Sequence, residues 1–302
     1  MFEMLDIHFP IAHVNLNSVI VVLIGFASGF ASGIFGIGGG LISTPLLIMM
    51  GVPSAVAVAT SAHQIIGATF SGVLARIGTK NYDLKLGAYL SLFSIIGSGV
   101  GMYVFLWFKG IGNLDFLISW CYVVVMTILS VVTAINIFVH KNTYNSNGYV
   151  QSMMRMMPMQ LKFAESGVRV SLVFLIGAGL VIGVLSSIMG VGGGFIAVPV
   201  LTYLFGVEYK TAVGTSLIQI LMVTIFIIAV HVFKTGSLDI LLGTLLIVGA
   251  VFGSQIGSAI GMGVKNAKVL PLLMLLLMLA IATKFSCDLF LVPSEMYEVQ
   301  RA

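Results

Sequence analysis

Residues Gly36 to Gln64 read GIGGGLISTPLLIMMGVPSAVAVATSAHQ, and from Gly190 to Gln219 the chain reads GVGGGFIAVPVLTYLFGVEYKTAVGTSLIQ. Gly36, Gly38, Gly39, Gly40 and Pro45 return 154 residues later as Gly190, Gly192, Gly193, Gly194 and Pro199. One inserted residue moves the offset to 155, where Gly51, Thr60, Ser61, Gln64 and Thr69 return as Gly206, Thr215, Ser216, Gln219 and Thr224. At Asp83/Asp239, Gly87/Gly243, Gly97/Gly253 and Gly101/Gly257 the offset is 156. The second half copies the first, so the fold must be built from two versions of one unit.

That unit belongs in a membrane. Of 302 residues 59% are hydrophobic and 8% charged, with a mean hydropathy of +1.14, whereas soluble domains carry about 25% charged residues. Met1 to Ser18 holds no Lys or Arg, so a basic signal-peptide start is missing and the first apolar run is expected to be a retained helix. Cys121 and Cys287 lack metal or redox spacing and read as packing residues.

Apolar segments near the ~20 residues of a span occupy 17–37, 53–78, 84–108 and 114–140, then 168–191, 208–233, 238–264 and 268–291. The first two segments of each set enclose a short piece, Leu41 to Met50 and Phe195 to Phe205. Such a piece reaches only about 15–17 Å, half of a ~30 Å hydrocarbon core. The expected fold class is therefore an all-α polytopic membrane protein of two repeats. Each has about four long helices plus a short broken or re-entrant helix after its Gly-x-Gly-Gly-Gly loop. The expected divisions are an outer segment 1–16, a first repeat 17–140, a cytoplasmic linker 141–167, a second repeat 168–291 and an outer tail 292–302. In the linker, Met153 to Phe163 reads either as an interfacial segment with its basic residues toward headgroups or as a flexible connection.

Basic residues set the expected orientation. Arg76, Lys80 and Lys85 fall in one loop, and Lys141, Arg155, Lys162 and Arg169 in another on the same side. Lys210, Lys265 and Lys268 join them, which places ten of the fourteen basic residues inside and both termini outside. Each repeat then crosses an odd number of times, so the two copies must be inverted relative to each other, as in many secondary transporters. The stripes Gly25, Gly29, Gly33 and Gly249, Gly253, Gly257, Gly261 read as close helix contacts.

Counting from the turn Gly51-Val52-Pro53 locates candidate site residues. Gly40 lies 11 residues before it and Thr60 to Gln64 lie 9 to 13 residues after it, about 14–20 Å deep if both flanks are helical. The second copy repeats this from the other face. The expected site is thus midplane: backbone N–H groups of Gly38, Gly39, Gly40, Gly192, Gly193 and Gly194, with Thr60, Ser61, Gln64, Thr215, Ser216 and Gln219 as hydrogen-bond donors. Exposed glycine backbone at membrane depth is tolerated only when buried or lining a cavity. A following helix turns its positive end toward the same point. Thr44 is expected to cap that helix, with Pro45 at its first position. His63, matched by Ile218, reads either as a one-sided ligand contact or as a packed histidine. Arg76 aligns with His231 and reads as a headgroup anchor or a gate.

Neutral donors suit an anion. No acidic residue lies in the middle of a predicted span, since Asp83, Asp115 and Asp239 sit at helix starts and Asp288 near an end. Intramembrane carboxylates commonly mark cation paths, so a metal or polyamine cargo is not expected. The glycine loops lack the third glycine of a dinucleotide fingerprint and the Lys of a P-loop, and no HExxH or nucleophile triad is present. No cofactor, metal, catalytic residue or nucleic-acid partner is expected. The expected partners are a small anion and the lipid bilayer; a homo-oligomer stays open.

The repeated Gly-x-Gly-Gly-Gly, with a proline five residues on and a Thr-Ser downstream, resembles the TauE/SafE sulfite exporter family from about Val19 to Ala282. The resemblance implies a cytoplasmic-membrane transporter of sulfite, small organosulfonates or related sulfur-containing anions, working by export. The alternatives are a channel-like anion facilitator and, from other classes, an intramembrane enzyme or a non-transporting scaffold.

Overall fold

The computed structural model describes residues 6–79, 81–138, 159–264 and 269–290. Lys80, Lys141, Arg155, Lys265, Lys268, the linker as far as Pro158 and the tail 292–302 fall outside the described residues. Ten α-helices and two β-hairpins make up the described chain. The first half runs β1 (Asp6–Phe9), β2 (Val14–Asn17), α1 (Ser18–Phe35), α2 (Gly40–Met49), α3 (Ser54–Leu74), α4 (Leu84–Ile111) and α5 (Leu114–Phe138). The second runs β3 (Gln160–Phe163), β4 (Val168–Ser171), α6 (Leu172–Met189), α7 (Gly194–Pro199), α8 (Tyr209–Lys234), α9 (Ile240–Gly263) and α10 (Val269–Phe290). A π-helical turn, Val200–Leu204, continues α7.

Among the described residues seven helices are long and apolar enough to cross a membrane: α1, α4, α5, α6, α8, α9 and α10. The helix α3 has the length but carries Thr60, Ser61, His63, Gln64, Thr69 and Ser71, the side chains expected of a helix serving a polar interior. Large apolar residues such as Tyr103, Phe233 and Phe252 stand exposed around the bundle. In a soluble protein that surface would be unsustainable; here it meets lipid.

The expected span 168–191 begins too early, because strand β4 occupies its start, whereas 17–37 meets α1 within one residue there. Hairpin β1–β2 pairs Asp6 with Asn17 and Phe9 with Val14, and β3–β4 pairs Gln160 with Ser171 and Phe163 with Val168. These registers match at an offset of 154, so the two copies correspond from their hairpins onward. Residues 153–163 are accordingly not one interfacial or flexible piece, since Gln160–Phe163 is a strand.

Equivalent contacts are exchanged between the copies. Helix α1 packs along α9, and its counterpart α6 packs along α4. Gly25 and Gly29 approach the backbones of Leu246 and Ala250, while Gly253 and Gly257 approach Phe26 and Phe30. Gly97 and Gly101 meet Leu180 and Val184 in the same manner. The stripes are contact surfaces, and any Cβ there would strike backbone, which is how lipid-embedded helices gain packing without a hydrophobic drive.

Asp83 and Asp239 cap α4 and α9 by accepting from Leu86 N (3.0 Å) and Leu242 N (3.1 Å). The second oxygen of each holds a hairpin turn belonging to the other copy's α1 or α6: Asp239 Oδ2 accepts from Ile11 N and Ala12 N, and Asp83 Oδ2 from Ser166 N and Oγ. Both carboxylates are buried, and buried charge is tolerated when its lone pairs are filled in this way. Helix α4 runs from Asp83 to its last turn, where Lys109 Nζ donates to Ser237 Oγ just before α9. The β3–β4 turn and the β1–β2 turn therefore lie at opposite ends of a 28-residue helix.

Candidate functional site

Each glycine loop begins where a long helix stops. Gly36 and Gly190 end α1 and α6 in the left-handed region, at φ 69° and 68°, with their N–H groups on Ser32 O and Ser186 O. Gly38, Gly39, Gly192 and Gly193 also have positive φ, between 76° and 84°, a run that only glycine sustains cheaply. Gly40 and Gly194 open the short helices.

Thr44 is not the cap of α2. Gly39 occupies that place with no side-chain hydrogen bond, and Pro45 lies inside the helix, as Pro199 lies inside α7. The cause is the conformational freedom of the glycines: the helix starts as soon as the loop turns. A proline there removes one intrahelical bond, and beyond Pro199 the helix widens so that Phe205 N reaches Val200 O. Among the described residues the N–H groups of Gly38, Gly39, Gly192 and Gly193 make no hydrogen bond. At the start of a helix such donors form a positive pole.

The two loops touch. A Cβ on Gly40 would lie 2.6 Å from Gly190 O and 2.8 Å from Val191 Cα, and one on Gly194 would strike Gly36 O. Ile65 and Ile220, equivalent residues of α3 and α8, pack over both loops, Ile65 near Gly40 and Gly192, Ile220 near Gly38, Gly192 and Gly194. Every glycine of the two loops is buried.

Of the expected donors, Gln64 reaches the loop of its own copy, its Nε2 lying 3.2 Å from where a Cβ on Gly39 would be. The same nitrogen donates to Ser28 Oγ at 2.8 Å, and Oε1 has no partner. Gln219 is equally buried, yet neither Nε2 nor Oε1 has a partner among the described residues. Its copy lacks the serine, since Ile182 stands where Ser28 would repeat. The serines are reversed: Ser216 Oγ donates to Gly36 O at 2.9 Å and Val213 O at 2.8 Å, whereas Ser61 Oγ is unpartnered.

Thr60 and Thr215 are drawn elsewhere. Each accepts from an aspartate cap of the other copy, Asp239 N to Thr60 Oγ1 at 3.4 Å and Asp83 N to Thr215 Oγ1 at 2.9 Å. His63 is not brought to the loops; its ring packs against Gly243 on α9, with Nδ1 unpartnered. Sequence reasoning passed over Ser32 and Ser186, equivalent residues one turn before each loop, whose hydroxyls are buried and unpartnered. The signal was present as a Ser at the same offset of 154 as the glycines.

Unsatisfied buried amides and hydroxyls each cost about 1–3 kcal/mol, and native interiors hold few of them. Here Gln219, Gln64 Oε1, Ser61, Ser32 and Ser186 belong to the helices that carry and flank two loops of free N–H groups. The arrangement offers hydrogen bonds without carboxylates.

A multi-pass helical membrane protein with paired glycine loops and buried neutral donors is thereby defined. The chain belongs to the Sulfite exporter TauE/SafE family, which it matches over residues 21–285, and is a membrane transporter of that family. It is similar to the probable membrane transporter protein YunE of Bacillus subtilis, 25% identical over 273 residues, covering 87% of this chain and 96% of the relative. The probable membrane transporter protein YjnA of the same organism is 27% identical over 243 residues, covering 80% and 89%. A probable membrane transporter protein of Haemophilus influenzae is 28% identical over 204 residues, covering 66% and 67%. No solved structure matches the chain.

Proposed function

We propose that the protein is a secondary transporter that exports small sulfur oxyanions, sulfite or organosulfonates, across the cytoplasmic membrane by alternating access. The two copies cross in opposite directions, with the β3–β4 end in the cytoplasm and both termini outside, the orientation that basic loop residues favour. The anion lies between the glycine loops. Backbone N–H groups of Gly38–Gly40 and Gly192–Gly194 point at its oxygens, and Gln64, Gln219, Ser61, Ser32 and Ser186 donate further bonds. Ser216, Thr60 and Thr215 hold the loops and aspartate caps in place. His63 packs against α9.

The observation that carries this reading is the Gln219 amide, fully buried with both ends unpartnered on a helix that covers both loops. An oxyanion supplies the acceptor oxygens that Gln219 Nε2 and the loop N–H groups lack, and in a protonated form such as hydrogensulfite it also supplies a donor for Gln219 Oε1. Complete burial of the loops favours a carrier, whose site closes between turns, over an open anion channel. Interlocking contacts between the copies give each repeat a rigid partner against which to rock.

Counterflow of labelled sulfite in proteoliposomes tests this. Saturable exchange of chemically unchanged sulfite is expected from the wild type, and its loss from a folded Gln64→Leu, Gln219→Leu double variant. Exchange retained by that variant would remove the site from the glycine loops. A wild type that exchanges neither sulfite nor methanesulfonate overturns the substrate class.

A further inference from the structure

Arg76 lies in the first turn beyond α3 and is 3% exposed. Its Nη1 donates to Ser258 Oγ and its Nη2 to Gly33 O, each at 3.1 Å, while Nε is buried without a partner. No carboxylate of a described residue faces it. A buried guanidinium held only by a hydroxyl and a carbonyl keeps an uncompensated charge, which proteins rarely leave unanswered.

The charge borders a cavity of about 240 Å³. Its walls come from the end of α3 (Val73, Ile77), the start of α4 (Tyr82, Leu84) and the first half of α8 (Gly214, Ile218). Apart from Arg76 and Tyr82 these walls are apolar. A low-dielectric wall strengthens the field of the one cation inside it. The other copy answers differently: His231 replaces Arg76 and packs edge-on against Phe105, with ring centroids 5.1 Å apart.

Position relates this cavity to the glycine loops. Gly33, bonded to Arg76, lies one turn before Gly36. Gly214 immediately precedes Thr215 and Ser216, the latter bonded to Gly36 O. Asp83, between the wall residues Tyr82 and Leu84, donates its N–H to Thr215. The cavity thus lies toward the β3–β4 end of the bundle and shares helix α8 with the loops, Gly214 and Ile218 lining the cavity and Ile220 packing over the glycines.

We propose that the Arg76 cavity is a second anion site, an antechamber that captures a small oxyanion at the β3–β4 end before it reaches the glycine loops. Arg76 supplies the attraction. The pairing is bidentate in character, since a guanidinium fork matches two oxygens of one oxyanion. The proposal rests on the anion-transport reading for its ligand class, but the site is separate from the loops and is separately testable.

The test is equilibrium binding of labelled sulfite to the full chain in detergent, in gluconate buffer, with the loop site disabled by Gln219→Leu. One saturable equivalent is expected in that background, lost on adding Arg76→Met and weakened about tenfold on adding Arg76→Lys. Met222→Trp, at an exposed residue of α8 that also lines the cavity, leaves Arg76 intact and is expected to weaken it as well; each protein is checked for monodispersity. No binding by the Gln219→Leu chain overturns the antechamber, as does undiminished binding after Arg76→Met. Failure of the loop site shows itself differently, as normal counterflow by Gln219→Leu.

Discussion

Gln64 and Gln219 occupy the same place in the two copies, yet Gln64 donates to Ser28 at 2.8 Å while Gln219 has Ile182 at the matching position and no partner. The serines one turn earlier on α3 and α8 reverse this, Ser216 being bonded and Ser61 unpartnered. Duplication preserved the glycine loops, aspartate caps and hairpins, and let the side-chain hydrogen bonds beside the glycine loops drift apart. The backbone framework is symmetric, and the chemistry it holds is not.

The largest effect should come from breaking what the copies share. Gly40→Val and Gly194→Val each drive a side chain into the backbone of the opposite loop, where no rotamer change relieves the overlap. Overpacking of that kind costs about 3 kcal/mol or more, so both variants should yield little folded protein by size-exclusion chromatography. A folded, transporting Gly40→Val chain would show that the loops do not meet as described.

The glutamines should then separate. Gln64→Leu leaves Ser28 without its donor and should lower the melting temperature, a loss of about 1 kcal/mol. Gln219→Leu removes an amide that has no partner, and should gain about 1–3 kcal/mol while abolishing sulfite counterflow. Opposite shifts in thermal stability, with transport lost in both, sharpen the comparison; a fall in both breaks it. Ile182→Ser sharpens it further by restoring the missing hydroxyl. Its expected outcome is a net loss of about 1–4 kcal/mol, since the cavity left by the buried Ile182 outweighs one new hydrogen bond, with a several-fold rise in KM because the Gln219 amide is then engaged before the anion arrives.

How far the sequence foresaw this arrangement depended on the length of the signal. The long helices were legible because apolar runs of 18 to 28 residues have few competing readings, and α4 and α9 were further marked by Asp83 and Asp239 at their starts. The meeting of the glycine loops was legible from repetition and from counting residues to a shared turn. The hairpins were not, because four-residue strands such as DIHF and QLKF share only the phenylalanine and lie beyond the repeated motif. Ser32 was hidden inside a stripe read for its glycines, and Ser186 in a helix read only as an apolar span. Thr60 and Thr215 were placed at a depth, but depth does not say which way a side chain points, and the aspartate caps of the other copy claimed them. The notable loss was the start of α2: Thr-Pro is a strong local helix signal, and glycine freedom upstream overrode it.

His63 shows the same limit and carries the smallest expected effect. It adjoins Gln64 in sequence, but one residue along a helix is about 100° around it, and that rotation takes the ring from the glycine loops to Gly243 on α9. Gly243 is the only residue type that admits the ring at that distance, which makes the pair a packing contact. The matching pair in the other copy, Ile218 against Gly87, does the same work with an aliphatic side chain. His63→Ile should therefore leave sulfite KM within about twofold of wild type and change stability by less than about 1.5 kcal/mol, the range of volume-conserving swaps. A tenfold change in KM with unchanged stability would return His63 to the site and give the first copy a ligand that the second lacks.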